Sequence, residues 1–478
     1  MKRYIYTTLF LIGGLSLSSC SKDFTETQFY QAKPMAPLES VEELSAFVNG
    51  TYAKMRNRDY LGSNYLTYGE IRSDEAYNNM ASDFFSGQTN YTQDASDLFS
   101  KSTWEAAYRV VAHANFVIGT PEGKLSWKKS PNTTEISAEI KKLKAQAYAI
   151  RGIAFFDLLR LYGQKYTGGS LGIPLPLEYN LNNISTRATL AQTEAQIEAD
   201  LNQAISLFQE AASLEGKNSL NDLVDTSDKT TLSPLAVKAY QSRFYLYKKN
   251  WEKVITLSQE IIDANKYNII PAADLETSFG KPNPSNSIFE LAVGVNGSLG
   301  TESYEYMLNS GGSLTIVPTA YARSLYEEDD VRKGLITGDD DEGYALNGKF
   351  QDLQSRSNIR LVRYEEILLN IAEAYLQKRE EDNALRYYNQ LREQRGIEDA
   401  AASLNLEELK EERLRELLGE GLRYWDLLRW GNPIPYYDRT GATNPANNKT
   451  VPNRLLAYPI PLSELNSDQS HVTQNEGY

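Results

Sequence analysis

Between Arg72 and Tyr91 the sequence interleaves flat rings with hydrogen-bonding side chains: Arg72, Asp74, Tyr77, Asn78, Asp83, Phe84, Phe85 and Tyr91. Aromatic faces stack on the apolar faces of pyranose or furanose rings, while Asp, Asn and Arg engage hydroxyls, so this mixture suits an oligosaccharide. Tyr304 and Tyr306, two apart in a second region of similar composition, would extend the platform. The competing use of such aromatics is to pin long loops to a frame. Tyrosine is abundant throughout, at 32 of 478 residues, and its ring and hydroxyl together serve either purpose.

Catalytic chemistry has fewer candidates. The two histidines are His113, inside a helical stretch, and His471, near the C-terminus; neither stands in a His-Glu-x-x-His or triad context. Gly343 to Lys349 approaches a phosphate-binding loop, but Phe350 stands where Ser or Thr must hold magnesium, and no buried strand precedes it. The run Asp339, Asp340, Asp341 and Glu342 could hold a structural calcium in principle, yet Gly343 arrives one position early for an EF-hand loop and a solvated turn is the simpler reading. No metal site and no cofactor are indicated. A glycosidase needs only two carboxylates across a cleft, which 63 acidic residues could supply without a signature.

Cys20 carries a different chemistry. Lys2 and Arg3 precede the apolar stretch Leu9 to Leu17, which runs into Leu17-Ser18-Ser19-Cys20. The apolar segment is too short to span a bilayer, and the chain's one cysteine sits where acylation would follow cleavage. Residues 1–19 therefore read as a lipoprotein signal peptide and 20–39, polar and without helical period, as a lipidated tether. Each buried methylene of an acyl chain contributes about 0.8 kcal/mol, so anchoring by several chains is durable. With one cysteine no internal disulfide forms, and stability rests on packing. The 49 basic and 63 acidic residues give a formal charge of −14, which argues against nucleic acid or anionic lipid as partners.

The elements that would position these residues are helices in pairs. Ile140, Leu143, Ala147, Ile150, Ala154, Leu158 and Tyr162 recur every three or four positions before Gly163. Thr189 and Gln192 form a capping box for a helix carrying Ile197, Leu201, Ile205 and Phe208. Ser233 and Pro234 open another helix, which turns at Lys248-Lys249-Asn250 into one bearing Trp251, Val254, Ile255, Ser258, Ile261 and Ile262. Tyr364, Ile367, Leu368, Ile371 and Tyr375, then Ala384, Leu385, Tyr388 and Leu391, repeat the design. A hairpin cannot bury its apolar face alone, so such units stack. The reading is an all-α, tetratricopeptide-like solenoid of about four degenerate pairs, with a plain helical bundle as the alternative. One domain spans 40–478, with loop insertions at about 59–100 and 267–357 carrying the ligand surface.

Five motifs in order resemble the SusD-like (RagB/SusD) family of Bacteroidetes nutrient-binding lipoproteins. Trp104, Tyr108 and Asn115 are similar to its early helix, and Ala149-Ile150-Arg151-Gly152 with Tyr162-Gly163 to the next. Arg363-Tyr364-Glu365-Glu366 with Ala372-Glu373-Ala374 follows, then Glu412-Arg413, Glu416-Leu417, Glu420-Gly421, Arg423, Asp426-Leu427 and Arg429-Trp430-Gly431. Tyr458-Pro459-Ile460-Pro461, Glu464 and Gln474-Asn475-Glu476-Gly477-Tyr478 complete the pattern, which departs only after Gly163. On their own, the charged residues from Glu412 to Asp426 read as scaffold pairing, and Trp425 and Trp430 as packing. The resemblance implies an outer-membrane, cell-surface lipoprotein, not an enzyme, that captures an oligosaccharide for a SusC-like TonB-dependent transporter. Alternatives are capture of a peptide or other nutrient, a surface glycoside hydrolase, and a repeat scaffold without a small ligand.

Overall fold

A computed structural model describes residues 36–80, 83–180, 186–341, 343–397 and 400–478. The signal peptide 1–19, the acylation site Cys20 and the tether up to residue 35 lie outside the described residues, as does Glu342 of the acidic run.

Local signals account for the helix boundaries. Helix α1, Val41–Met55, is capped by Ser40, whose hydroxyl accepts from the Glu43 amide at 3.2 Å, and buries Val41, Leu44, Val48, Tyr52 and Met55 on one face. A short helix α2, Asn64–Glu70, follows, then α3, Leu98–Gly119, capped by Asp97. Helix α4, Thr133–Tyr162, stops at Gly163, and α5, Leu190–Leu214, has the Thr189–Gln192 capping box. Helix α6, Pro234–Tyr247, carries proline in its first turn, where a missing N–H costs nothing; the Lys248–Asn250 turn leads into α7, Trp251–Asp263. Helices α8, Tyr364–Gln377, and α9, Glu381–Glu393, form the last hairpin, followed by α10, Leu406–Leu417, and α11, Arg423–Trp430, which ends at the left-handed Gly431.

Packing follows chain order. Helices α1 and α3, α4 and α5, α6 and α7, and α8 and α9 make four pairs among the described residues, and each pair packs on the next. This is a tetratricopeptide-like stack: the apolar stripe of one hairpin is buried only by its neighbour. Ile261 and Val254 of α7 are fully buried in that way, each worth about 1.5–3 kcal/mol relative to exposure. Gly152 marks the closest approach of α4 to α5: a Cβ there would sit 3.2 Å from both Asp200 Cβ and Leu201 Cγ.

Short antiparallel ribbons join the irregular segments to the stack. Strand β1, Ala76–Asn78, pairs with β5, Ile316–Pro318; β2, Leu171–Pro174, with β3, Arg187–Thr189; β4, Ser287–Leu291, with β8, Ile359–Arg363; and β6, Thr337–Asp339, with β7, Gly343–Ala345. Parts of the two long insertions are ordered against the frame. All seven residues of α2 are buried, with Tyr60 of the preceding π-turn also inside, because this aromatic-rich stretch packs on the frame. Strand β4, in the middle of the second insertion, is buried along its whole length.

A buried charge network ties the insertion to the C-terminal helices. Arg332 contacts Asp330, Glu412 and Glu416 at 2.7, 2.7 and 3.0 Å. Arg363 reaches Glu416 and Glu420 at 3.0 and 2.6 Å, and Arg395 reaches Glu365 and Glu416 at 3.0 and 2.8 Å. Arg413 and Arg429 share Asp426, and Glu373 accepts from Arg429 and from Trp430 Nε1. The motif charges are thus scaffold: each buried ion has partners, and losing one would strand the others.

Candidate functional site

Strand pairing brings distant segments to one surface. Tyr77 of β1 stands opposite Val317 of β5. Just beyond β5, the Thr319 amide donates to the Glu75 carbonyl at 3.0 Å and its hydroxyl to the Asp74 carbonyl at 2.7 Å, fixing the turn that presents Tyr321, 39 % exposed. Arg323 donates to the Pro318 carbonyl at 3.0 Å, and its guanidinium lies 3.5 Å from the centre of the Tyr344 ring on β7. A loop from the C-terminal part closes the group. Asp438 accepts from Thr440 amide and hydroxyl at 2.8 and 2.7 Å and holds a tight turn, whose left-handed Gly441 approaches Tyr77 so closely that a Cβ there would lie 2.8 Å from ring carbon Cε1. Tyr437, next to Asp438, bridges Thr443 through its backbone.

Tyr77, Tyr321, Tyr344 and Tyr437 come from four segments: Tyr77 and Tyr344 adjoin Arg323, with Asp438 near Tyr77, while Tyr437 adjoins Tyr321 and Thr319 on the side of Asp74. Burial raises the Tyr77 hydroxyl's pKa, with Arg323 opposing and Asp438 reinforcing, and pushes Tyr437 up to about 12; burial, then Asp74, raises Tyr321. These three tyrosines stay protonated near neutrality and can donate hydrogen bonds. Tyr77, Tyr344 and Tyr437 are half-buried. Such rings hold their orientation while keeping a face to solvent. Asp74 is fixed by Arg423, and Asp438 by its own turn.

Of the expected ligand contacts, five have buried side chains. Arg72, 1 % exposed, donates to the Gln88 carbonyl and to Gln93 at 2.8 and 2.7 Å and is sandwiched by Tyr91 and Tyr458 at 4.2 and 4.4 Å. Tyr91 is buried with it. Asn78 donates to the Phe84 carbonyl and to Thr89, Phe85 packs on Phe99 at 4.5 Å, and the Tyr304 hydroxyl donates to the Gly419 carbonyl at 3.2 Å. These side chains pin the loops inside the fold. Asp83 and Phe84 are exposed and Tyr306 is half-buried. Phe84 packs against Phe99 and beneath Arg58.

Tyr321, Arg323, Tyr344, Tyr437 and Asp438 were not anticipated. One cue existed: Tyr436-Tyr437-Asp438-Arg439 lies in a stretch rich in Asn, Gly, Thr and Pro, the same composition that marked the earlier loops. Among the described residues no group of three or more acidic, His or Cys side chains could hold a metal. Lys349 of the near phosphate loop is committed to the Leu418 carbonyl and Glu420 at 2.7 and 2.5 Å. His113 stacks on Phe47 at 4.9 Å, and burial lowers its pKa.

Two family models match this chain. One, described as the SusD family, covers residues 347–478; the other, described as starch-binding and associating with the outer membrane, covers 23–246. The chain belongs to the SusD-like family. Membership places it at the outer membrane, on the cell surface. This SusD-like chain is 23 % identical to SusD-like protein P2 of Formosa agariphila over 550 aligned positions, with both chains covered in full. Its fold matches that of a SusD superfamily protein from Bacteroides thetaiotaomicron with a TM-score of 0.79 at 24 % identity, covering 91 % of this chain and 99 % of that one. Surface glycan-binding protein A from Bacteroides fluxus matches with a TM-score of 0.71 at 20 % identity, again over 91 % and 99 %.

Proposed function

We propose that this protein is a cell-surface glycan-binding lipoprotein, anchored through acylated Cys20, that captures an oligosaccharide on the surface formed by Tyr77, Tyr321, Tyr344 and Tyr437. Arg323 and the tyrosine hydroxyls take the sugar hydroxyls, and a SusC-like TonB-dependent transporter receives the ligand. The observation that carries the reading is the convergence of tyrosines from separate segments, Tyr77 and Tyr344 beside Arg323 and Tyr321 beside Tyr437, rings suited to stacking on pyranose faces. The starch-binding description of one family model and the name of the B. fluxus protein point to the same ligand class.

The role is binding, without catalysis. The two carboxylates named at this surface are both engaged, Asp74 by Arg423 and Asp438 by its turn, so neither is placed as the free acid of a glycosidase pair. Calorimetry with plant, microbial and host oligosaccharides, beside a peptide pool, tests the reading. Saturable glycan binding that Tyr321→Ala weakens supports it; binding of peptides alone transfers the site to another nutrient, and shortening of the glycan on incubation replaces capture with hydrolysis.

A further inference from the structure

Two glutamates that ligand capture does not use lie side by side beneath the tyrosine surface. Glu70 ends α2 and Glu75 precedes β1 by one residue; they are 0 % and 1 % exposed. One oxygen of Glu70, Oε1, accepts from the Gly421 amide. The carboxyl groups are within hydrogen-bonding reach of each other. Yet Glu70 Oε2 and Glu75 Oε1, both buried, make no hydrogen bond in the folded chain, the nearby Tyr304 hydroxyl donating to the Gly419 carbonyl.

An ionised carboxylate only accepts hydrogen bonds, so two of them face to face leave both oxygens unsatisfied and repel each other. A single proton between them removes both penalties. The neighbouring cations do not supply the missing charge. Toward Glu70 stand Lys349, bound to Glu420, and the Tyr304 hydroxyl. Toward Glu75 stand Arg423, bound to Asp74, with the Tyr304 and Tyr326 hydroxyls. Each cation is already matched by another acid.

The pair also sits where the surface is attached. The Glu75 carbonyl accepts from Thr319, next to Tyr321 in the turn after β5, and Tyr77 follows Glu75 by two residues. We propose that Glu70 and Glu75 share one proton near neutral pH and make the seating of the β1–β5 ribbon, and with it the tyrosine surface, proton-dependent. The regulatory half rests on the capture reading; the shared proton does not.

Burial raises the pKa of both groups, and for Glu75 the neighbouring carboxylate adds to it. The folded chain therefore holds a proton that the unfolded chain has lost above the ordinary glutamate range. Stability is greatest below that range and falls about tenfold in the folding constant per pH unit up to the pair's own titration.

Infrared spectroscopy of the full chain in detergent, with Glu75→Gln and Glu70→Gln, reads the proton directly. The expected result is a protonated-carboxyl component near neutral pH that both variants lose, over the constant contribution of Glu305, which burial raises to about 7. Denaturant unfolding from about pH 5 to about pH 8 should show the corresponding slope in the parent and a flatter one in E75Q. Absence of that component overturns the proposal. So does a stability loss on chelation that E75Q abolishes, since the pair would then hold a cation. If the component is present and no glycan binds, capture fails and the proton pair stands.

Discussion

Arg423 grips Asp74 with two nitrogens, Nε to Oδ1 at 2.6 Å and Nη2 to Oδ2 at 2.8 Å, across 349 residues of sequence. This fork joins the C-terminal helix α11 to the segment that leads into β1, so it seats the strand bearing Tyr77. Its planar geometry is specific to arginine.

Replacing Arg423 by alanine strands Asp74 and also removes a donor to the Lys410 carbonyl. The expected loss of folding stability is about 3–5 kcal/mol. Lysine in its place should recover only part of this. Denaturant midpoints of the two variants against the parent give the comparison.

Tyr321→Ala should separate binding from folding. The side chain is exposed, so stability should change by no more than about 0.5 kcal/mol, while affinity for a bound glycan should fall by about 2 kcal/mol, roughly thirtyfold in Kd. An unchanged Kd with a bound ligand would remove the tyrosine surface as the site.

Phe84 and Phe85 are adjacent but should behave oppositely. Phe85, 1 % exposed between Tyr68 and Phe99, should cost about 3–5 kcal/mol on truncation to alanine, whereas Phe84, 39 % exposed, should cost little. Thermal melts of the two variants suffice. Because Phe84 packs with Phe99 and Arg58 instead of with the four tyrosines, Phe84→Ala should leave glycan affinity unchanged.

Gly152→Val tests the contact of α4 with α5. Its Cβ and methyls would press on Asp200 and Leu201, and the expected cost is about 1–3 kcal/mol. Binding per folded molecule should be preserved, which a calorimetric stoichiometry would show.

Acid should act on the charge network. Burial alone would raise Glu416, Glu412 and Asp426, but their arginine partners outweigh it, chiefly Arg395, Arg332 and Arg413 in turn, and hold all three below the usual carboxylate range. A depressed folded pKa means the folded chain binds fewer protons than the unfolded one. The stabilisation is complete above the ordinary carboxylate range and is lost as pH falls through the folded values. Urea midpoints should therefore drop steeply below about pH 4, opposite in sign to the contribution of Glu70 and Glu75.

The helical hairpins were legible because their information is local. A period of three to four, a capping box at Thr189 and Gln192, and Pro234 after Ser233 each act within one or two turns, and any fold that buries those stripes must keep them. The charged pattern from Glu412 to Asp426 was legible as scaffold for the same reason, although its partners Arg332, Arg363 and Arg395 were not. Composition also marked the irregular segments that lie between the hairpins.

Which aromatics in those segments face solvent was decided only in three dimensions. Tyr91 and Tyr77 sit in the same stretch with similar neighbours, yet Tyr91 is buried against Arg72, which also meets Tyr458 from the far end of the chain, and Tyr77 meets a turn at Gly441. An irregular backbone has no fixed period to point its side chains, so their direction is set by long-range partners such as Thr319 and Arg423. The sequence by itself determined the stack of hairpins, while the tertiary contacts decided which of the 32 tyrosines are left half-buried on the ribbons, Tyr77 and Tyr344 beside Arg323 among them.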